Sequence, residues 1–259
     1  MTDLWQTIVL GIVEGITEFL PISSTGHLLV TEHWLGERTE LFNIAIQAGA
    51  ILAVVLIYWR RLVDLFSHLY DPVRRDYLAK LGGAFLITAV GGFIATRLGF
   101  KLPEAIRPIA VALIAGGVII LVIEMLIASR PIRTEVTWNV AIWVGIAQIV
   151  AGVFPGTSRS AATIFAAMLV GLTSRPAATE FAFLVGIPTM FAATGYELLK
   201  ARHQAMTEDW GALAVGFVVS GVVAFIAVKW LLRYVQTHRF TLFAWYRIVV
   251  GVALLVLQI

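Results

Sequence analysis

The chain has 259 residues, 59% hydrophobic and only 14% charged, with a formal net charge of +3. A soluble globular domain is about one-quarter charged, so the composition excludes that class and indicates an all-α integral membrane protein, read as one membrane domain with no soluble module. The small positive balance gives no sign of nucleic acid, because the basic residues are scattered over short connections. The absence of cysteine excludes disulfides, thiolate metal sites and a cysteine nucleophile.

The first residues hold Asp3 and neither Lys nor Arg, and Glu14 would interrupt an apolar leader, so no cleavable signal peptide is expected. Residues 4–35 are apolar but are broken at Pro21. Each half is too short to span, so the segment is expected to form a re-entrant helical hairpin, its tip covered by protein or a polar cavity. Spans follow at about 41–59 and 78–97, and a linking span at about 107–128. Residues 138–172, broken at Pro155-Gly156, predict a second hairpin. Spans at about 179–199, 210–231 and 240–259 complete six transmembrane helices and two re-entrant hairpins.

The two hairpins align without gaps, Gly11 on Gly145, Pro21 on Pro155 and Ser24 on Ser158. The chain therefore divides into repeat 1 (about 4–98), the linking span, repeat 2 (about 138–232) and the last span. Three spans separate the hairpins, an odd number, which makes this an inverted-topology repeat with its site near the midplane. The side bearing Arg60, Arg61, Arg74, Arg75, Arg130, Arg133, Arg175, Lys229, Arg233 and Arg239 is richer in positive charge than the side bearing Arg38, Arg97, Lys101, Arg107, Lys200 and Arg202. The richer side is expected to be cytoplasmic, which places the mouth of the first hairpin outside.

Charge in hydrocarbon costs at least about 2.5–3.5 kcal/mol per residue, so Glu14 and Glu18 call for a function. At i, i+4 their carboxylates share a helix face, about 6 Å apart. A cation, a shared proton or an arginine must balance them, and they suit a general base, a divalent-metal site, or both. Beyond Pro21, Ser23 or Ser24 is placed to cap the next half-helix, whose free N–H groups and dipole suit phosphate. Thr25 extends the hydroxyl cluster, and His27 shares the face of Ser24. The second tip repeats the design: Gly156 permits close backbone approach, Thr157, Ser158 and Ser160 offer hydroxyls, and Arg159 suits a phosphate bidentately or, alternatively, a salt bridge to Glu14 or Glu18. Five further polar residues draw smaller expectations. Glu124 and Arg247 are read as snorkelling near span ends. Gln47 and Gln148 either bond between helices or line the site, and Glu180 is read as a first-turn acid.

Glu14-x-x-x-Glu18, Ser23-Ser24-Thr25-Gly26-His27 and Pro155-Gly156-Thr157-Ser158-Arg159-Ser160-Ala161-Ala162-Thr163 resemble the signature motifs of bacterial undecaprenyl-diphosphate phosphatases, the bacitracin-resistance proteins. The resemblance extends over essentially the whole chain, including Gln47-Ala48-Gly49 and Tyr246-Arg247. It departs at Ala161, where many relatives have glycine. It implies a membrane hydrolase that removes the terminal phosphate of the C55 lipid diphosphate and recycles the carrier for cell-wall synthesis. It also implies a divalent cation (Mg²⁺ or Ca²⁺, held by Glu14 and Glu18), an outward-facing site and a homodimer. On this reading Ser24 is the nucleophile, Glu18 its base with His27 as second candidate, and Arg159 stabilises the transferring phosphoryl group beside Ser23, Thr25, Gly156, Thr157, Ser158 and Ser160. The competing expectation is a transporter or flippase of a polyprenyl phosphate lipid, which would share the repeats and broken helices.

Overall fold

The computed structural model describes residues 4–100, 105–201 and 209–257. Among them ten helices follow in order: α1 (Leu4–Thr17), α2 (Ser24–Leu35), α3 (Glu40–Ser67), α4 (Pro72–Arg97), α5 (Ile106–Ile127), α6 (Trp138–Val153), α7 (Arg159–Leu169), α8 (Arg175–Ala201), α9 (Trp210–Thr237) and α10 (Thr241–Leu257). No strand occurs among the described residues. Helices α3, α4, α5, α8 and α9 are long and apolar enough to cross a bilayer. The 17 described residues of α10 reach about 25 Å at 1.5 Å per residue. All six expected spans therefore appear as helices. Lys101 and Arg202, used to argue orientation, lie outside the described residues.

Both expected hairpins are present as broken helix pairs, α1/α2 and α6/α7. The first break comes earlier than Pro21: α1 ends at Thr17, and residues 18–22 form a turn. Glu18 nevertheless keeps the helical bond of its N–H to the Glu14 carbonyl (3.0 Å). The second break falls at residues 154–158, around Pro155.

Between helices in lipid there is no hydrophobic drive, so close van der Waals packing and hydrogen bonds must supply cohesion. Each hairpin achieves this against a long helix distant in sequence, α1 packing on α9 and α6 on α4. Gly11 and Gly145, paired by the repeat alignment, occupy corresponding contacts. A Cβ on Gly11 would meet the Gly216 carbonyl at 3.1 Å, and one on Gly145 the Ala84 carbonyl at 2.8 Å. The main core cluster unites the first tip (Phe19, Leu20, Ile22) with α7 (Ile164, Phe165, Met168) and α8 (Phe181, Leu184). Ser160 Oγ donates to the Leu20 carbonyl (2.9 Å), so the hairpins meet tip to tip inside the protein.

Three sequence expectations are corrected. Arg247 does not snorkel: it is fully buried (0% exposed). Glu124 is also buried, held by the Arg175 guanidinium through two hydrogen bonds and by the Phe240 N–H (2.9 Å). A buried carboxylate survives only with such partners, and Arg175 and α10 provide them. Glu180 lies beyond the first turn of α8, which begins at Arg175, and accepts instead from Arg61 Nε on α3 (3.0 Å).

Candidate active site

Both hairpin tips turn through a strained residue. Ser23 has φ 75° and Ser158 φ 68°, each immediately preceding the first residue of the returning half-helix. A left-handed non-glycine residue costs on the order of 1–3 kcal/mol and marks a site that the surroundings over-determine. The strained pair also revises the repeat register at the tip. Ser158 corresponds to Ser23, one position from the Ser24 of the ungapped alignment, so Ser24 and Arg159 become the opening residues of α2 and α7.

The tips are held by Arg247. Its guanidinium donates to the carbonyls of Pro21 (3.3 Å), Thr157 (3.1 Å) and Gly156 (3.1 Å), and to Ala112 (3.1 Å) and Leu113 (3.4 Å) of α5. One side chain of α10 thus ties both tips to the linking helix. Gly116 makes the room: a Cβ there would lie 2.1 Å from Arg247 Nη2. The sequence shows Tyr246-Arg247 only as a conspicuous polar pair inside an apolar span, and its function here depends on which carbonyls the tips present.

Ser24 Oγ donates a hydrogen bond to Glu18 Oε2, so a hydroxyl and a buried carboxylate are in contact. Glu14 is 2% exposed and Glu18 8%. Glu14 Oε2 is buried without a hydrogen-bond partner. His27, the second candidate base, is engaged elsewhere: Nδ1–H donates to the Ser23 carbonyl (2.7 Å) and Nε2 accepts from the Tyr246 hydroxyl (2.7 Å). It therefore steadies the strained Ser23.

Arg159 makes no salt bridge to Glu14 or Glu18, the alternative the sequence left open. Among the described residues nothing hydrogen-bonds its guanidinium, and only its backbone carbonyl is engaged, by Thr163 Oγ1 (2.8 Å) and the helix. Arg159, Glu18, Gln148, Ser160 and Thr163 line one cleft with Phe19 and Phe183.

The hydroxyls expected to receive phosphate divide into two groups. Ser158 Oγ caps α7 through the Ala161 N–H (3.3 Å) and meets Ser160 Oγ (3.0 Å), which donates to Leu20. These two serines therefore close the tips on each other. Gly156 packs on α5, where a Cβ would lie 3.0 Å from Ile109 Cα. The Thr157 carbonyl serves Arg247, and the Thr157 residue is half-buried. In the first tip, Ser23 is buried but its side chain does not cap α2, so the first-turn N–H groups of α2 lack the cap that α7 has. Thr25 is exposed. Of the two glutamines, Gln47 accepts from Thr194 between α3 and α8 (3.4 Å), whereas Gln148 faces the cleft with both amide atoms unpartnered.

No cluster of three or more His, Cys, Asp or Glu residues arranged for a metal occurs among the described residues. The two carboxylates still fit Mg²⁺, which takes one or two carboxylates and completes its shell with water and substrate phosphates. The unpaired Glu14 Oε2 is the observation that favours such a ligand.

The family model for bacitracin resistance protein BacA matches residues 7–253. The chain belongs to this family. Similar proteins named undecaprenyl-diphosphatase include one from Rhizobium johnstonii, 65% identical over 255 residues covering 98% of this chain and 96% of that protein. Another, from Xanthomonas axonopodis pv. citri, is 56% identical over 257 residues, covering 98% and 97%. The matched residues include both hairpin tips and Arg247.

Proposed function

We propose that the protein is a membrane-embedded phosphatase that hydrolyses undecaprenyl diphosphate to undecaprenyl phosphate and inorganic phosphate. The observation that carries this reading is the contact of Ser24 Oγ with Glu18 beside an unpaired Arg159. A transporter needs affinity for phosphate but has no use for a hydroxyl held against a buried base.

Ser24 Oγ attacks the terminal phosphorus, and Glu18 takes its proton. The bond from that phosphorus to the bridging oxygen breaks, releasing undecaprenyl phosphate and leaving a phosphoserine. Glu18 passes that proton to the departing oxygen and, again a carboxylate, deprotonates the water that attacks the phosphoserine phosphorus. The Oγ–P bond breaks, Ser24 Oγ takes the proton back and inorganic phosphate leaves. Arg159 and the uncapped first turn of α2 stabilise charge on the transferring group, the main source of catalysis in phosphoryl transfer. Glu14 and Glu18 would hold the divalent cation, which when bound supplies neutralisation of phosphate charge. His27 and Tyr246 hold the Ser23 turn, so that α2 points its start at the reacting phosphate.

The purified protein in detergent, where transport has no meaning, is expected to release phosphate from undecaprenyl diphosphate. No release in the presence of Mg²⁺ or Ca²⁺ would overturn the hydrolase reading. Undiminished release after chelation would overturn the cation. In the same assay Arg159→Lys is expected to lower kcat about 10³-fold with KM changed only a few-fold, because lysine keeps the charge and loses the planar fork. Wild-type kcat in that variant would move Arg159 from catalysis to structure.

The site faces outward, on the side of the Gly36–Thr39 connection, and two copies associate as a homodimer. The outward assignment rests on Arg74 and Arg75 at the start of α4, and Arg130 and Arg133 in the connection 128–137, being cytoplasmic. In this cysteine-free chain, Glu37→Cys is expected to react with impermeant thiol reagents added outside, and a cysteine at Arg74 only with permeant ones. The reverse pattern inverts the orientation. Crosslinking in native membranes tests the dimer, which monomeric migration at all crosslinker doses would exclude.

A further inference from the structure

Gln148 is 3% exposed on α6, yet neither its amide nitrogen nor its amide oxygen has a hydrogen-bond partner. Leaving a buried polar group unsatisfied is costly, and in a native fold it asks for an explanation. The side chain lines the cleft that Glu18 and Arg159 also line. Its place in the repeat is equally informative. Gly11 and Gly145 make corresponding helix contacts, and three residues on from each stand Glu14 and Gln148. Two counterparts on the two hairpins therefore each bring buried, unpaired polar atoms to the site, one an acid and the other an amide. A carboxylate can only accept, whereas an amide can donate to a phosphate oxygen without adding charge.

We propose that Gln148 is a phosphate-binding residue of this site, donating its Nε2–H to a non-bridging oxygen of the terminal phosphate that Arg159 also holds. The side chains of the two hairpins then divide the work: the first carries the acids that bind cation and proton, and the second adds side-chain donors to the backbone N–H groups of α2 that bind anion. This inference rests on the hydrolase reading for the identity of the ligand.

The test is Gln148→Met, which keeps length and removes both polar atoms. A helix-packing residue would lose stability on this change, but an amide with no partner in the protein should not. The expected result is an unchanged or raised Tm, with kcat/KM reduced about 10- to 100-fold, the scale of a hydrogen bond to a charged group. Inhibition by inorganic phosphate should weaken by a similar factor. Gln148→Glu, which keeps the acceptor and adds charge, is expected to be worse than Gln148→Met. Wild-type kinetics and phosphate inhibition in Gln148→Met would overturn the proposal, whether Tm falls or not, as would Gln148→Glu behaving like wild type. Thermal stabilisation by inorganic phosphate separates the two readings. If wild type releases no phosphate from the lipid but is stabilised by phosphate in a Gln148-dependent way, the hydrolase reading falls and this one stands.

Discussion

Ser24→Ala is expected to lower kcat by about 10⁴-fold or more, the scale on which loss of an enzyme nucleophile acts, while the protein inserts and purifies normally. Ser24 is half-buried at the start of α2, and among the described residues its side chain hydrogen-bonds only to Glu18. Removing the hydroxyl leaves the tip architecture alone, because Ser23, Ser158, Ser160 and Arg247 hold that by other bonds. Tm is therefore expected to shift by no more than about 4 °C, equivalent to roughly 1 kcal/mol in a chain of this size. Phosphate release and thermal unfolding on the same preparation check both halves. Near-normal turnover in Ser24→Ala together with an inactive His27→Ala would transfer the nucleophile's role to histidine. That would require His27 to leave the Ser23 carbonyl and Tyr246.

Arg247→Met is expected to have the opposite signature, a loss of the fold with activity following. Among the described residues Arg247 is the hydrogen-bond partner of the carbonyls of Pro21, Gly156 and Thr157, none of which lies in a helix. Each buried carbonyl left without a donor costs about 1–3 kcal/mol, so three together cost roughly 3–9 kcal/mol. That is comparable with the total stability of about 5–15 kcal/mol typical of native proteins. The strained turns at Ser23 and Ser158 would lose their restraint as well. Thermal unfolding should show Tm lowered by more than about 10 °C, or no folded protein recovered from the membrane. Arg247→Lys should rescue only partly, because a single ammonium cannot reach five carbonyls on three elements. A wild-type Tm in Arg247→Met would remove the clamp from this account.

Arg247 also marks where sequence reading stops. Apolar runs of spanning length, interrupted at Pro21 and Pro155-Gly156, determined the spans, the two broken hairpins and the all-helical class, because hydrogen bonding in lipid leaves the backbone few choices. The intramembrane cost of Glu14 and Glu18 singled out the site, and the motifs around them led to the family. Those signals are local in the chain. What Glu124, Arg247, Ser158 and Gln148 do was not legible in the sequence, since each depends on which other helix lies opposite. Nothing near Glu124 in sequence announces Arg175 as its partner, 51 residues on. Nothing near Arg247 announces the Pro21 carbonyl, 226 residues away. The one-residue shift at the tips, from Ser24 to Ser23 opposite Ser158, came from backbone conformation, which an ungapped alignment does not see. Sequence alone thus determined which residues are too costly to bury idly. Only the tertiary structure decided which of them are paired within the protein and which, like Glu14 Oε2 and the Gln148 amide, are buried without a hydrogen-bond partner, because pairing is set by distance in space.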